Sequence, residues 1–282
     1  MKGWRAGVAG MALLGLAGCS DQPVPADIAQ AAPADITAGC CQGTGSYPDW
    51  MIELADANVG TMRRLGLIQF RPGRMTSQPE ATALLQDSLR PMDLVFFHSD
   101  NRVSGLLIPG QFTHGATYIG TETQLREAGL WHLPELVPFH QQIRDGNLYL
   151  EAVDGGVRLA PAEVVLDTDA VVALRPPPAT RATALRRGMD QMGTPFDMRF
   201  DAGDASALFC AELIALMFAE AELPRTAVPG RETILIDRIV AGALAGDLPF
   251  ALVGYIEATP GGGARVASVQ DLAWDLRRNW PD

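Results

Sequence analysis

The chain has 282 residues, of which 48% are hydrophobic and 20% are charged, proportions that are ordinary for a globular protein. Its formal net charge of −11 argues against a general nucleic-acid binder, because such proteins neutralise phosphates with Lys and Arg. No apolar run in the sequence reaches the roughly 20 residues that a membrane-spanning helix needs.

The first 18 residues are typical of an export signal peptide. Lys2 and Arg5 give a positive start, and the apolar stretch 7–18 is too short to span a bilayer and ends in small residues. The sequence Leu-Ala-Gly-Cys ending at Cys19 resembles the lipobox of bacterial lipoproteins. That resemblance implies a lipid on Cys19 and, because Ser20 follows it, the periplasmic face of the outer membrane. A plain signal peptide with an incidental cysteine is the alternative.

Residues 19–39 are rich in Ala, Pro and Asp, which predicts a flexible tether to the membrane. We expect one folded domain over residues 40–282. Cys40 and Cys41 are adjacent, and neighbouring cysteines pair only through a strained ring. The sequence therefore leaves open whether they bond to each other or one of them bonds to Cys210. It contains no zinc-ligand spacing, so we expect no metal and no cofactor.

The remaining elements are predicted from periodicity and turn residues. Helices are predicted at residues 52–65 and 78–89, strands at 93–97, 112–119, 147–153, 157–159 and 170–174, helices at 180–192, 208–222 and 234–244, and a last strand at 250–256. Asp154-Gly155-Gly156 is a strong turn signal, and Ser206 is the expected cap of the helix that carries Cys210. Helices, then strands, then helices indicate an α+β fold around one antiparallel sheet.

Cys210 lies in the first turns of the most strongly predicted helix. A helix N-terminus beside an imidazole favours the thiolate, which is the nucleophile of thiol hydrolases. A buried structural cysteine is the alternative. His114 is the best partner, because its predicted strand places His114, Ala116 and Tyr118 on one face and Gly115 leaves room for close approach.

Glu151 lies in the middle of a predicted strand, between apolar neighbours. An unpaired buried charge is costly, so either its face is solvated or the carboxylate has a partner. His114 would be that partner if Glu151 orients its imidazole. The other three histidines, His98, His132 and His140, lie in loop-like contexts and are predicted at the surface.

The order of these motifs resembles the permuted NlpC/P60-like hydrolases of the YiiX/YaeF type. The motifs are Asp-Leu-Val-Phe at 93–96, His-Gly-Ala-Thr-Tyr-Ile-Gly at 114–120, Glu-Ala at 151–152, Pro-Phe-Asp at 195–197 and Phe-Cys-Ala-Glu-Leu at 209–213. The His motif precedes the Cys motif, which reverses the order of ordinary NlpC/P60 enzymes. The resemblance covers about residues 90–222.

This resemblance implies a circularly permuted papain-like α+β fold, with the nucleophile helix packed on a central antiparallel sheet. It implies hydrolysis of an amide or related acyl bond, with Cys210 as nucleophile, His114 as base and Glu151 as the third polar residue. Tyr118 and Asp197 are further candidates for contact with the substrate, with packing or a loop hydrogen bond as the alternative for both.

The residues leave three hypotheses about function. The first is a peptide amidase acting on cell-wall stem peptides or on a related acyl amide. The second is a lipid-directed acyl hydrolase or transferase of the same fold, which a membrane tether favours. The third is a non-catalytic envelope lipoprotein that retains the fold.

Overall fold

A computed structural model of the protein describes residues 24–26, 28–41, 49–204 and 206–280. The predicted signal peptide, the predicted lipid attachment site at Cys19 and the first residues of the predicted tether lie outside these ranges. Within the described ranges, no helix combines the length and the apolar character that crossing a bilayer requires.

An antiparallel sheet of seven strands forms the centre of the described fold, and a separate two-stranded hairpin lies beside it. The described strands are β1 (Asp93–His98), β2 (His114–Tyr118), β3 (Asn147–Val153), β4 (Gly156–Pro161), β5 (Ala170–Arg175), β6 (Thr226–Val228), β7 (Arg231–Thr233), β8 (Ala251–Ala258) and β9 (Ala264–Ala267). The sheet order is β4-β3-β2-β1-β5-β8-β9, and β6 pairs with β7. This arrangement confirms the predicted α+β class.

The described helices surround this sheet. They are α1 (Pro33–Ile36), α2 (Asp49–Ala57), α3 (Val59–Gly66), α4 (Pro79–Ser88), α5 (Val103–Leu107), α6 (Glu122–Glu127), α7 (His140–Arg144), α8 (Ala162–Val165), α9 (Arg181–Met189), α10 (Cys210–Met217), α11 (Ile236–Ala245) and α12 (Val269–Arg278).

Strand β1 is apolar along its length because both of its faces are covered. Leu94 and Phe96 belong to a core cluster that also contains apolar side chains of α9, α10, α11 and α12. Val95 and Phe97 point the other way, into a second cluster with residues from α4 and α8. This alternation follows from the period of two in a strand.

The β3–β4 hairpin follows the predicted turn. Val153 pairs with Gly156 across the two-residue loop Asp154-Gly155, and Glu151 pairs with Arg158. Gly155 has a φ of 109°, in the left-handed region that a glycine enters without steric cost. The turn therefore fixes which side chains of β4 lie beside Glu151.

The helix that carries Cys210 is shorter than the prediction of residues 208–222. It starts at Cys210, its N-cap is Phe209, and the predicted cap at Ser206 is wrong. Leu208 is extended instead, because its N–H donates to the Pro195 carbonyl and its carbonyl accepts from the Asp197 N–H. Cys210 is consequently the first helical residue, where its own N–H has no acceptor within the helix.

One other helix prediction and the predicted start of the folded part also need correction. The predicted helix at 52–65 is two helices, because Asn58 leaves the helical conformation between α2 and α3. The packed part of the chain also begins before residue 40, within the predicted tether. Ile36 of α1 is buried, and α1 packs against α11 and α12.

The structure also answers the question that the sequence left open about the cysteines. Cys40 and Cys41 form a disulfide with each other. Cys41 is buried, and Cys40 packs against the larger core cluster. Among the described residues, Cys210 is the free cysteine.

Candidate active site

Cys210 lies at the N-terminus of α10, against the sheet. Its side chain is 5% exposed, and it lines a cavity under α2 and α3. The positive end of the helix dipole and the free N–H groups of the first turn stabilise negative charge at this position. These features suit a thiolate better than a merely structural thiol.

His114 is the first residue of β2, and its imidazole shares a hydrogen bond with the Cys210 thiol. The ring stacks on Phe97, its partner across β1, with 5.7 Å between the ring centroids. Close packing between β2 and α10 depends on Gly115, since a Cβ there would lie 2.8 Å from Cδ1 of Phe96 and 3.3 Å from Cδ1 of Ile214. The small residue lets the Cys helix approach the His strand.

Glu151 lies on β3, opposite Ala116 of β2, and its side chain is almost fully buried. Its Oε2 accepts a hydrogen bond of 2.8 Å from Nε2 of His114. Its Oε1 accepts from Nε of Arg158 at 2.9 Å and also pairs with Nη2 at 2.8 Å. Both carboxylate oxygens are therefore satisfied, and the bond to Nε2 leaves Nδ1 as the nitrogen for the thiol.

The pKa values of the pair move in opposite directions. Burial by itself lowers the pKa of His114, but the hydrogen bonds to Cys210 and Glu151 raise it by more, so that it lies well above its ordinary value. Burial raises the pKa of Glu151, and the hydrogen bonds and charges of His114 and Arg158 bring it below its usual range. The arrangement holds an imidazolium beside a carboxylate over the neutral pH range.

Arg158 was not predicted as a site residue. Counting outward from the Asp154-Gly155 turn would have identified it, because a two-residue loop pairs residue 153 with 156 and hence 151 with 158. Opposite charges directly across a strand pair attract each other. Glu151 thus has two partners, where the sequence analysis assigned it one.

The cavity beside Cys210 has a volume of about 300 Å³ and is lined mainly by apolar side chains. Its walls come from segments far apart in the sequence, including Ile52 of α2, Met62 of α3, Leu107 of α5 and Ile234 after β7. Asp56 of α2 forms an ion pair with Arg231 of β7, which joins two sides of the cavity. Pockets of this size accept small organic groups.

The segment that leads into His114 is held by a buried carboxylate of α11. Asp237 accepts hydrogen bonds from the N–H groups of Gln111 at 2.6 Å and Phe112 at 2.9 Å, and from Nε1 of Trp280 at 2.6 Å. Burial raises the pKa of Asp237 to about 6, although these hydrogen bonds oppose the shift. Asp237 of α11 therefore fixes the backbone just before β2, although α11 is not the helix that carries Cys210.

The structure brings neither Tyr118 nor Asp197 to the lining of the cavity. The Tyr118 hydroxyl is inside the packed structure and donates to Oε1 of Gln124 at 2.8 Å. The Asp197 carboxylate accepts from the N–H groups of Arg199 at 2.7 Å and Asp201 at 2.5 Å. Their contacts agree with the alternatives of packing and loop hydrogen bonding.

Glu212, two residues after Cys210, is a further titratable group that the sequence analysis left without a role. Burial and the nearby charge of Asp197 raise its pKa to about 7. Its carboxylate also accepts from the N–H of Phe209, the N-cap residue. This contact leaves the N–H groups of Cys210 and Ala211 available at the start of α10.

The prediction that three histidines are surface residues is wrong for two of them. His98 is half-buried, and its Nδ1 lies 2.6 Å from the carbonyl oxygen of Gln111. His140 stacks on Trp131 with 3.7 Å between the ring centroids. His132 is exposed. Of the four histidines, His114 has a hydrogen bond to a cysteine.

Comparison with known families agrees with this geometry. The profile of the permuted papain-like amidase family YaeF/YiiX, C92, matches residues 88–234. The chain belongs to this family. Permuted papain-like amidases are cysteine hydrolases of the amidase or peptidase type, so the enzyme acts on a peptide or amide bond. A search of curated proteins and a search of solved structures gave no significant match.

The family match starts before β1 and ends after β7. It includes His114, Glu151 and Cys210. The helices α2 and α3, which form one wall of the cavity, lie outside it. Part of the cavity wall therefore comes from a segment that the family match does not include.

Proposed function

We propose that this amidase hydrolyses an amide or related acyl bond with Cys210 as nucleophile, His114 as general base and then acid, and Glu151 as the residue that orients His114. The observation that carries the proposal is the position of one imidazole, hydrogen-bonded to the Cys210 thiol on one side and to Glu151 on the other. A nucleophile, a base and an orienting acceptor are the three parts of such a site.

In the first step, the thiol proton is already held by His114, and the Cys210 sulfur attacks the carbonyl carbon of the substrate. The carbonyl oxygen becomes an oxyanion, which the N–H groups of Cys210 and Ala211 at the start of α10 stabilise. The oxyanion collapses, the carbon–nitrogen bond breaks, and the imidazolium of His114 gives its proton to the leaving amine. An acyl-enzyme with a thioester at Cys210 and a free amine result.

In the second step, His114 takes a proton from water, and the hydroxide attacks the thioester carbonyl. The carbon–sulfur bond breaks, the acyl group leaves as a carboxylic acid, and the Cys210 sulfur is released beside the protonated His114, which restores the starting state. Throughout, the Glu151 carboxylate stabilises the positive imidazolium, and Arg158 holds Glu151 ionised. The cycle needs no group beyond these side chains and water.

A thiol-directed alkylating probe tests the dyad. We expect rapid labelling of Cys210 at neutral pH, none at this position in Cys210→Ala, and labelling slower by about tenfold or more in His114→Ala, because the base is lost. His132→Ala is the matched control, since His132 is exposed, and it should label like the wild type. Peptide mapping assigns the labelled cysteine. Slow labelling that ignores the loss of His114 would refute the dyad.

The apolar cavity favours a second, narrower candidate, the lipid-directed hypothesis. We propose that the acyl part of the substrate is an apolar chain that occupies the cavity beside Cys210. Burial of apolar surface contributes about 25 cal/mol per Å², so each added methylene group should improve binding. Cell-wall stem peptides, with several polar and charged groups, match this lining less well.

Chain length and cavity volume separate these two candidates. We expect hydrolysis of N-acyl amides to rise with acyl length, and Ala55→Trp, which fills the cavity from α2, to abolish that dependence. Ala57→Trp is the matched control, because Ala57 is on the same helix and exposed. Release of new amino termini from muropeptides, without any chain-length effect on acyl amides, would favour the cell-wall peptide instead.

We also propose that the amidase is an envelope lipoprotein anchored by a lipid on Cys19. The support is the lipobox-like sequence that ends at this residue. Metabolic labelling with an alkyne fatty acid should modify the wild type and not Cys19→Ser. Equal labelling of both forms would contradict the anchor. The third hypothesis, a non-catalytic lipoprotein, is disfavoured by the free thiol of Cys210 and its hydrogen bond to His114.

A further inference from the structure

Exposed apolar side chains are concentrated on one short segment of the protein. Among the described residues, Leu65, Leu67, Ile68 and Phe70 are large, apolar and exposed, and they fall within six consecutive positions. We call these four residues the cap surface. Scattered exposed apolar residues need no explanation, whereas a contiguous group marks an interaction site.

The cap surface lies on the outside of the layer that covers the active-site cavity. Met62 and Gly66 of α3 line the cavity, and Leu65 is on the same helix but exposed. Alpha-helix α5 packs beside α3, with Ser104 and Leu107 also at the cavity. One thin layer of helices thus separates the apolar cavity from an apolar outer surface.

Hydrogen bonds hold the cap surface in this exposed position. The N–H of Val103 donates to the carbonyl of Ile68 at 3.0 Å, and the N–H of Phe70 donates to the carbonyl of Asn101 at 3.1 Å. Gln69 pairs with Arg102 in an antiparallel bridge between these two bonds. Because the backbone is fixed, the side chains of Ile68 and Phe70 remain presented to the solvent.

The charge around the cap surface differs from that of the whole chain. Between Asp56 and Glu80 there are four arginines and no acidic residue, in a chain with a net charge of −11. Arg63 pairs with Asp154, and both Arg71 and Arg74 pair with Asp169.

The fourth arginine, Arg64, is exposed beside Leu65, and no described acidic group pairs with it. One unpaired positive charge attracts anionic lipids weakly, so the apolar side chains would have to supply most of the binding.

From these observations we infer that the cap surface docks on a lipid bilayer and turns the α3 side of the cavity toward it. The exposed apolar run, the one arginine beside it that pairs with no described acidic group and the apolar cavity behind the same helices all fit a lipid surface. The apolar stretch 7–18 and the lipobox-like Cys19, which precede the described residues, would keep that surface within reach. The inference rests on the proposed function in one respect: the advantage of docking would be that an apolar acyl chain gains access to the cavity.

Vesicle binding by the chain from residue 19 onward, with Cys19→Ser to exclude the lipid, tests the inference. This chain contains every described residue. We expect it to co-sediment with phosphatidylcholine vesicles, and somewhat better when phosphatidylglycerol is included. The double variant Leu67→Ser/Phe70→Ser should bind at least about tenfold less, because it removes two large apolar side chains from the contact.

A matched double variant controls for the loss of exposed apolar surface in general. Val137 and Val266 are 53% and 63% exposed, close to the 56% and 67% of Phe70 and Leu67, and neither lines the cavity. Val137→Ser/Val266→Ser should bind vesicles like the wild type. Equal losses in both double variants, or no binding by the wild type, would overturn the inference.

Two further readings separate the possible failures. Sedimentation velocity without vesicles shows whether the cap surface is instead covered by a second copy of the chain. In that case, Leu67→Ser/Phe70→Ser would convert a dimer to a monomer, and the lipid assignment would be wrong. Labelling of Cys210 is measured in the same samples. Rapid labelling without vesicle binding would overturn docking alone, and vesicle binding with an unreactive Cys210 would overturn the proposed chemistry alone.

Discussion

At the scale of single residues, the site contains a chain of three polar side chains on three neighbouring strands, joined by two contacts. Arg158 on β4 holds Glu151 on β3, and Glu151 holds His114 on β2. Each contact makes the next more favourable, because an ionised Glu151 stabilises a protonated His114. Under the proposed mechanism, the reactivity of Cys210 therefore depends on Glu151 and Arg158, which act through His114.

Replacing the Glu151 carboxylate by an amide tests this dependence. Glu151→Gln keeps a hydrogen-bond acceptor for Nε2 of His114 but removes the negative charge, so the pKa of His114 should fall. NMR titration of the imidazole should show the midpoint at a lower pH than in the wild type, and labelling of Cys210 at neutral pH should slow roughly tenfold or more.

The control for this prediction is Glu127→Gln, the same chemical change at an exposed position of α6. It should leave both the titration of His114 and the labelling rate unchanged. A His114 titration that is identical in the wild type and Glu151→Gln would show that the carboxylate charge does not act on the imidazole.

The sequence was sufficient to select His114, Glu151 and Cys210 as candidates, because each combines an uncommon residue type with a clear position on a strand or helix, and the structure brings the three together. Their spatial arrangement was not predictable to the same degree. The β1–β2 and β2–β3 pairings join segments separated by long connections, and only side-chain packing fixes such registers. The β3–β4 register was predictable from its tight turn, and with it Arg158.

At the scale of elements, the decisive contact is that of α10 with β2. At Gly115 of β2 a Cβ would lie 2.8 Å from Phe96 of β1 and 3.3 Å from Ile214 of α10, so this position has no room for a side chain. Interiors packed at this density do not accept an extra methyl group without displacement of their neighbours.

A methyl group at this contact should therefore damage both stability and site geometry. We expect Gly115→Ala to lower the free energy of unfolding by about 1–3 kcal/mol and to slow the labelling of Cys210, because α10 must move away from His114. Urea denaturation and probe kinetics measure the two effects. Gly254→Ala on β8 is the control, since a Cβ at Gly254 meets no atom within 4 Å and should cost no stability.

Helix α12 illustrates a signal that the sequence analysis passed over. Ser268 and Asp271 form a reciprocal capping box at its start, and Leu272 and Leu276 one turn apart are buried. This pattern of Ser followed three residues later by an acid, and then by apolar residues, is a recognisable start of a helix. Because the tail is rich in charged residues, no helix was predicted there.

At the scale of the whole molecule, the family match does not coincide with the folding unit. The match ends at residue 234, yet β8 pairs with β5 in the middle of the sheet, and β9 follows beside it. Helices α11 and α12 contribute buried side chains to the same core cluster as α10. The matched segment on its own would expose one edge of β5 and part of this core.

Truncation tests that conclusion. A fragment of residues 88–234 should show no cooperative thermal unfolding, because β5 loses β8, one of its two neighbouring strands. The chain from residue 19 onward should unfold in one transition. Circular dichroism melting curves measure both. A cooperative transition of the fragment at a similar temperature would mean that the later strands and helices are an accessory layer.

The cavity shows why the substrate is harder to predict than the chemistry. Its lining comes from residues between Ile52 and Ile236, on five helices, a short hairpin and several loops. No local pattern in the sequence records that these segments converge. The reacting groups, by contrast, occur in short motifs whose order is visible along the chain.

The bond between Cys40 and Cys41 has a consequence for the durability of the enzyme. In an exported protein, oxidants of the envelope convert nearby thiols into cross-links, and a reactive thiolate is the first to be captured. Because Cys40 and Cys41 engage each other, neither offers a thiol to Cys210. If the protein is exported as proposed, the Cys40–Cys41 bond thus removes two thiols that could otherwise form a disulfide with Cys210.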